Sequence, residues 1–139
     1  MKNYNLFLDD IRMPADAGNY MYPVEVRPLY RLKEWVIVRN YKQFVEFIQT
    51  NGLPELVSFD HDLADEHYGL ISKTDHLTWE EYHLSEDREY TGLDCAKWMV
   101  DYCIENNQKL PQYLCHSMNP TGRENILIYL RNFEKTQSK

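Results

Sequence analysis

Long apolar runs are missing from this chain of 139 residues, and none approaches the ~18 residues of a membrane span. The start, Met1-Lys2-Asn3-Tyr4, leads into a strand-like run with no apolar leader or small-residue cleavage site, so a cytoplasmic location is expected. Cysteine is scarce. Cys95, Cys103 and Cys115 are odd in number and lack CxxC spacing, which argues against a disulfide framework or a cysteine metal site and predicts buried, reduced thiols. Basic residues are also few: 15 Lys and Arg against 22 Asp and Glu give a net charge of −7. Bulk charge of that sign excludes a coat for long duplex nucleic acid or an anionic membrane. What remains is ordinary for a globular chain, with 43% apolar and 27% charged residues. The length fits one domain, residues 1–139, with a core of its own.

The charge is unevenly spread. Residues 60–90 hold 10 acidic and 2 basic residues, a net of −8, and the rest of the chain is +1. A small anionic substrate thus remains compatible with the sequence, provided a cation or arginines offset the carboxylates.

Apolar patterning predicts four strands: residues 5–8, Trp35 to Val38, Leu56 to Phe59, and Tyr113 to Cys115. Asn40 caps a predicted helix with Tyr41, Phe44, Val45 and Ile48 on one stripe. Thr91 opens another, with Asp94 in capping-box position, running to about Asn107. Thr121 is expected to open the last, with Glu124 in the matching position and Ile126, Leu127, Leu130 and Phe133 facing the core. Residues 13–34, with three prolines and a glycine, are read as an irregular loop insertion, and 63–90 as a second, polar one. Short continuous apolar strands alternating with helices predict an α/β fold with a mainly parallel sheet. Ligand sites in such sheets gather at the carboxyl ends of the strands.

Three predicted strands end in polar residues: Asp9-Asp10, Asp60-His61-Asp62, and His116-Ser117-Met118-Asn119. Carboxylates converging on one crevice repel, so either one takes up a proton or a cation neutralises them. An oxygen-only cluster suits Mg²⁺ or Mn²⁺. The competing reading is that these aspartates cap nearby turns. His61 and His116 end different strands and would face each other as general base and general acid, although a strand-end histidine also serves as a hydrogen-bonded core residue. His67, His76 and His83 lack metal-ligand spacing and are expected to be solvated. Arg12, Arg123 and the helix start Asn119-Pro120-Thr121-Gly122 form an expected anion pocket, with Gly122 admitting a ligand close to the backbone. Thr91-Gly92 starts a helix in the same way. Tyr20, Tyr22, Tyr30 and Tyr68 are candidates for stacking a base.

Four segments together resemble a known family: Leu6 to Pro14 (LFLDDIRMP), Val57 to Leu63 (VSFDHDL), Thr91 to Met99 (TGLDCAKWM) and His116 to Ile126 (HSMNPTGRENI). They are similar to the cyclic-phosphate-processing receiver-like domain, an offshoot of the response-regulator receiver fold. The resemblance implies a flavodoxin-like three-layer sandwich with four to five strands in the order 2-1-3-4. It places Asp9 and Asp10 as the receiver's metal-binding pair, Asp60 as its phosphoacceptor, and Ser117 as its hydroxyl residue. The receiver's lysine after a fifth strand has no counterpart, which argues against phosphorelay. His61, Asp62, His116, Asn119 and Arg123 are additions to the receiver pattern.

The expected function is therefore a phosphoesterase that opens a cyclic phosphate on a nucleotide or RNA end. Asp9, Asp10 and Asp60 would hold the divalent cation, and His61, His116, Asp60 and Asp62 would carry the chemistry. Arg12, Ser117, Asn119, Thr121, Gly122, Arg123 and Thr91 would bind substrate. A cyclic-nucleotide binding protein without turnover is the alternative, and a phosphoacceptor receiver is a third reading.

Overall fold

The computed structural model describes residues 4–63 and 90–137. Strands β1 (Asn5–Leu8), β2 (Val36–Val38), β3 (Leu56–Phe59) and β4 (Gln112–Cys115) form one sheet in the order β2-β1-β3-β4. Every neighbouring pair is parallel. Leu8 aligns with both Val38 and Phe59, and Phe59 aligns with Cys115. The strands thus finish level, and the residues that follow, Asp9, Asp60 and His116 among them, emerge along one edge. This is the receiver-like, flavodoxin-like arrangement.

Strand residues alternate between the two faces of the sheet. Leu6, Leu8, Val57 and Phe59 point to the larger core, where they meet helices α3 (Tyr41–Asn51), α4 (Gly92–Glu105) and α5 (Pro120–Gln137) through Phe44, Ile48, Met99, Ile126 and Leu130. Phe7 points the other way. It meets Ala17, Met21 and Tyr30 of the segment 13–34, with Trp35 and Leu114 packed alongside. Removing Phe7 or Phe59 to alanine would cost about 3–5 kcal/mol.

Segment 13–34 is the chief correction to the fold. It holds helices α1 (Pro14–Ala17) and α2 (Arg27–Leu32) and a 3₁₀ turn at Val24–Val26, and so supplies the third layer. Helices of four and six residues are too short to display a 3.6-residue stripe, so their pattern looks irregular. The start of α5 is also corrected. It begins at Pro120, and the Asn119 side chain, not Thr121, accepts the Gly122 N–H at 3.0 Å. Asn40 and the Thr91–Asp94 box cap α3 and α4 as expected. Cys95, Cys103 and Cys115 are all buried. No helix among the described residues is long and apolar enough to cross a membrane. His67, Tyr68, His76 and His83, and nearly all of the second insertion, lie outside the described residues.

Candidate functional site

The ends of β1, β3 and β4 bring Asp9, Asp10, Asp60, His116 and Ser117 together, and all five are buried. A cleft of about 140 Å³ opens beside them, lined by Asp10, Ile11, Arg12, Asp60, Asp62, Ser117, Met118 and Asn119.

Asp9 is nearly saturated with hydrogen bonds. One carboxylate oxygen accepts the backbone N–H groups of Ile11 (2.9 Å) and Arg12 (2.8 Å). The other lies 3.0 Å from His116 Nε2 and 3.6 Å from an Arg12 guanidinium nitrogen. Burial opposes its charge, but the bonds from His116, Arg12 and Ile11 outweigh that and hold its carboxyl below the usual range.

Asp60 is the opposite case. Among the described residues its side chain accepts one hydrogen bond, from the His61 backbone N–H at 2.9 Å. It is 3% exposed. Burial, with the neighbouring charges of Asp9 and Asp10, pushes its carboxyl up to about 7. One of its oxygens thus has no hydrogen-bond partner among the described residues. A buried carboxylate so placed calls for a proton or a cation.

The donor set fits a divalent cation. Ligand atoms of Asp9, Asp60 and His116 all lie within 4.8 Å of one another, and Asp10 adds charge beside them. His116, however, is engaged at both ring nitrogens. Its Nδ1 is 2.7 Å from Ser58 Oγ, and Ser58 Oγ is 2.7 Å from the Tyr30 hydroxyl. Its Nε2 faces Asp9. Proximity alone would make it a metal ligand, but with both nitrogens bonded its place is that of a partner that orients Asp9. The ring stacks on Phe7 at 4.3 Å between centroids, and burial lowers its affinity for a second proton.

His116 is therefore corrected as a group that meets substrate: it is wholly buried, under Asp9. The second expected catalytic histidine, His61, does not line the cleft either. Its Nδ1 bonds Asp62 at 2.8 Å, and Asp62 does line the cleft. Asn119 Nδ2 reaches both Asp62 carboxylate oxygens at 3.3 Å. The His61 ring rests on Gly122, where a Cβ would fall 2.3 Å from the ring. Gly122 thus admits His61 rather than a ligand. Gly92 is glycine for a similar reason: a Cβ there would lie 1.8 Å from the Asp60 carbonyl oxygen.

Of the expected anion-binding residues, Arg12, Ser117 and Asn119 line the cleft. Thr121, Gly122, Arg123 and Thr91 do not. Arg123 donates from Nε to the Cys115 carbonyl at 3.3 Å, and Thr91 is engaged in its capping box. Of the candidate stacking tyrosines, Tyr30 is buried, and Tyr20 donates to the His116 carbonyl at 2.6 Å with Arg12 over its ring. Tyr22 is exposed with Arg27 over its ring.

Sequence reasoning missed Ser58 and the role of Tyr30. The available signal was Ser58 itself, a hydroxyl within the apolar run Leu56-Val57-Ser58-Phe59. Such a group needs a partner across the sheet face.

No curated protein and no solved structure matches the chain. The family model of the cyclic-phosphate processing receiver domain matches residues 4–132, from before β1 into α5. With all four strand ends inside that match, the chain belongs to this family.

Proposed function

We propose that the protein is a metal-assisted phosphoesterase that opens a cyclic phosphate on a nucleotide or RNA end. The observation that carries this reading is the buried, under-bonded carboxylate of Asp60 beside Asp9 and Asp10, at the wall of a cleft that also holds Arg12. Asp9 and Asp60 would hold Mg²⁺ or Mn²⁺, with Asp10 adding charge. When bound, such a cation neutralises phosphoryl oxygens and acidifies water.

The chain's own groups do the rest. Arg12 holds a phosphoryl oxygen, and Ser117 Oγ and Asn119 bound the other side of the cleft. Asp62 accepts the proton of the attacking water, steadied by His61 and Asn119. A new P–O bond forms from the water oxygen and one ring P–O bond breaks. The proton held by Asp62 passes to the departing alkoxide, leaving a phosphomonoester and a hydroxyl.

The test is a panel of 2′,3′-cyclic mononucleotides, 3′,5′-cyclic nucleotides, cyclic di- and trinucleotides and RNA with a cyclic end, each with Mg²⁺, Mn²⁺ or chelator. The proposal expects cation-dependent opening of at least one. Tight binding of a cyclic nucleotide with no product from any member would replace it with the sensor reading.

A further inference from the structure

The segment 13–34 reaches the site from behind. Tyr30 lies on α2, and its hydroxyl meets Ser58 Oγ at 2.7 Å. Ser58 meets His116 Nδ1 at 2.7 Å, and His116 Nε2 meets Asp9 at 3.0 Å. Each member of this chain is buried. Hydrogen positions in it follow from counting donors and acceptors. Tyr30 has one O–H and, among the described residues, one hydrogen-bond partner, Ser58. Burial keeps the phenol protonated, so Tyr30 donates. Ser58 then accepts from Tyr30 and spends its only hydrogen on His116 Nδ1. The ring hydrogen is left on Nε2, aimed at Asp9. The reverse direction would leave the Tyr30 hydrogen without an acceptor and set the Nε2 lone pair against an ionised carboxylate. Each of these is costly in a buried site.

From this geometry we infer that Tyr30 is a positioning residue: acting through Ser58, it fixes His116 as the Nε2–H tautomer and so fixes the Asp9 carboxylate that faces Asp60. Tyr20 of the same segment holds the His116 carbonyl, and Phe7 holds the ring face. The segment therefore serves the site without touching substrate. Its link to cation affinity rests on the proposed phosphoesterase reading, whereas its link to the tautomer does not.

Two readouts test it. Tyr30→Phe keeps the ring that stacks on Trp35 at 5.5 Å and removes only the hydroxyl. Long-range ¹H–¹⁵N spectra of the imidazoles are expected to show His116 as a single Nε2–H tautomer in the wild type and a shifted or mixed state in Tyr30→Phe. Mn²⁺ affinity, by calorimetry, is expected to fall, by no more than the ~10–100-fold that follows loss of a metal ligand's own outer partner. Ser58→Ala should give the same two changes, and adding Tyr30→Phe to it should change nothing further, because both act through one chain. An unaltered tautomer in both variants overturns the inference, as does a wild-type Nδ1–H tautomer. If the wild type binds no Mn²⁺, the phosphoesterase reading fails and the tautomer alone decides the role of Tyr30.

Discussion

His61 and His116 stand at comparable places, each just past the end of a parallel strand, and their surroundings give them opposite work. His116 is wholly buried, stacked on Phe7, and bonded at both nitrogens to Ser58 and Asp9. Among the described residues His61 has one ring bond, to Asp62, and its side chain is 18% exposed. The first can hold geometry but cannot reach a substrate. The second backs a carboxylate that lines the cleft. What separates them is what packs on them: Tyr20 and Tyr30 of segment 13–34 lie on His116, whereas the His61 ring rests on Gly122 at the start of α5.

The same contrast divides the aspartates, and it gives the largest expected effect. Asp60→Asn should lower cation-dependent turnover by roughly 10³-fold or more, since the electrostatic clamp on the phosphoryl group is the dominant contribution. It should not destabilise the cation-free protein. The folded Asp60 carboxyl titrates near 7 against an ordinary 3.8. A group raised in this way stabilises the fold fully below its unfolded value, and that contribution is lost as pH rises through about 7. Urea denaturation without cation should therefore show the wild type losing this contribution between about pH 4 and pH 7, and a flatter profile in Asp60→Asn. A steeper profile in the variant would refute the assignment.

The histidines should then part in stability. His116→Ala leaves Ser58 and Asp9 each short of a buried partner and should cost about 3 kcal/mol by urea denaturation. His61→Ala should cost less than about 1 kcal/mol. Its turnover should nonetheless fall about 10²-fold, because Asp62 loses the group that steadies it. Equal stability losses would erase the contrast between the two histidines.

Gly122→Ala is a finer probe. Its Cβ would clash with the His61 ring, so the ring must shift and its bond to Asp62 is disturbed. Turnover should drop about 10-fold, as expected for a small displacement of a positioned group. The smallest effect belongs to Tyr22→Ala. Tyr22 is exposed and outside the cleft, so KM should stay within about twofold, in the range of ordinary surface changes.

Much of this site is legible in the sequence because parallel strands that finish level put their following residues together. Asp9, Asp10, Asp60, His116 and Ser117 are found by that rule alone, and the structure gathers them. What the sequence hides is which residues share a hydrogen-bond chain. Tyr30 and Ser58 are 28 positions apart, and only the fold of two short helices onto the second sheet face joins them. The start of α5 misled for a related reason. Thr121 and Glu124 have capping-box spacing, but Asn119 followed by Pro120 caps two residues earlier. Gly122 looked open because a glycine's lack of a side chain does not say what fills the space.

The most direct test follows ³¹P spectra of a 2′,3′-cyclic mononucleotide across a Mg²⁺ titration, with wild type and Asp60→Asn side by side. A phosphomonoester signal is expected to grow with Mg²⁺ in the wild type, to disappear with chelator and to be absent in the variant. Turnover indifferent to cation, or retained in Asp60→Asn, would contradict the proposed metal-assisted reaction.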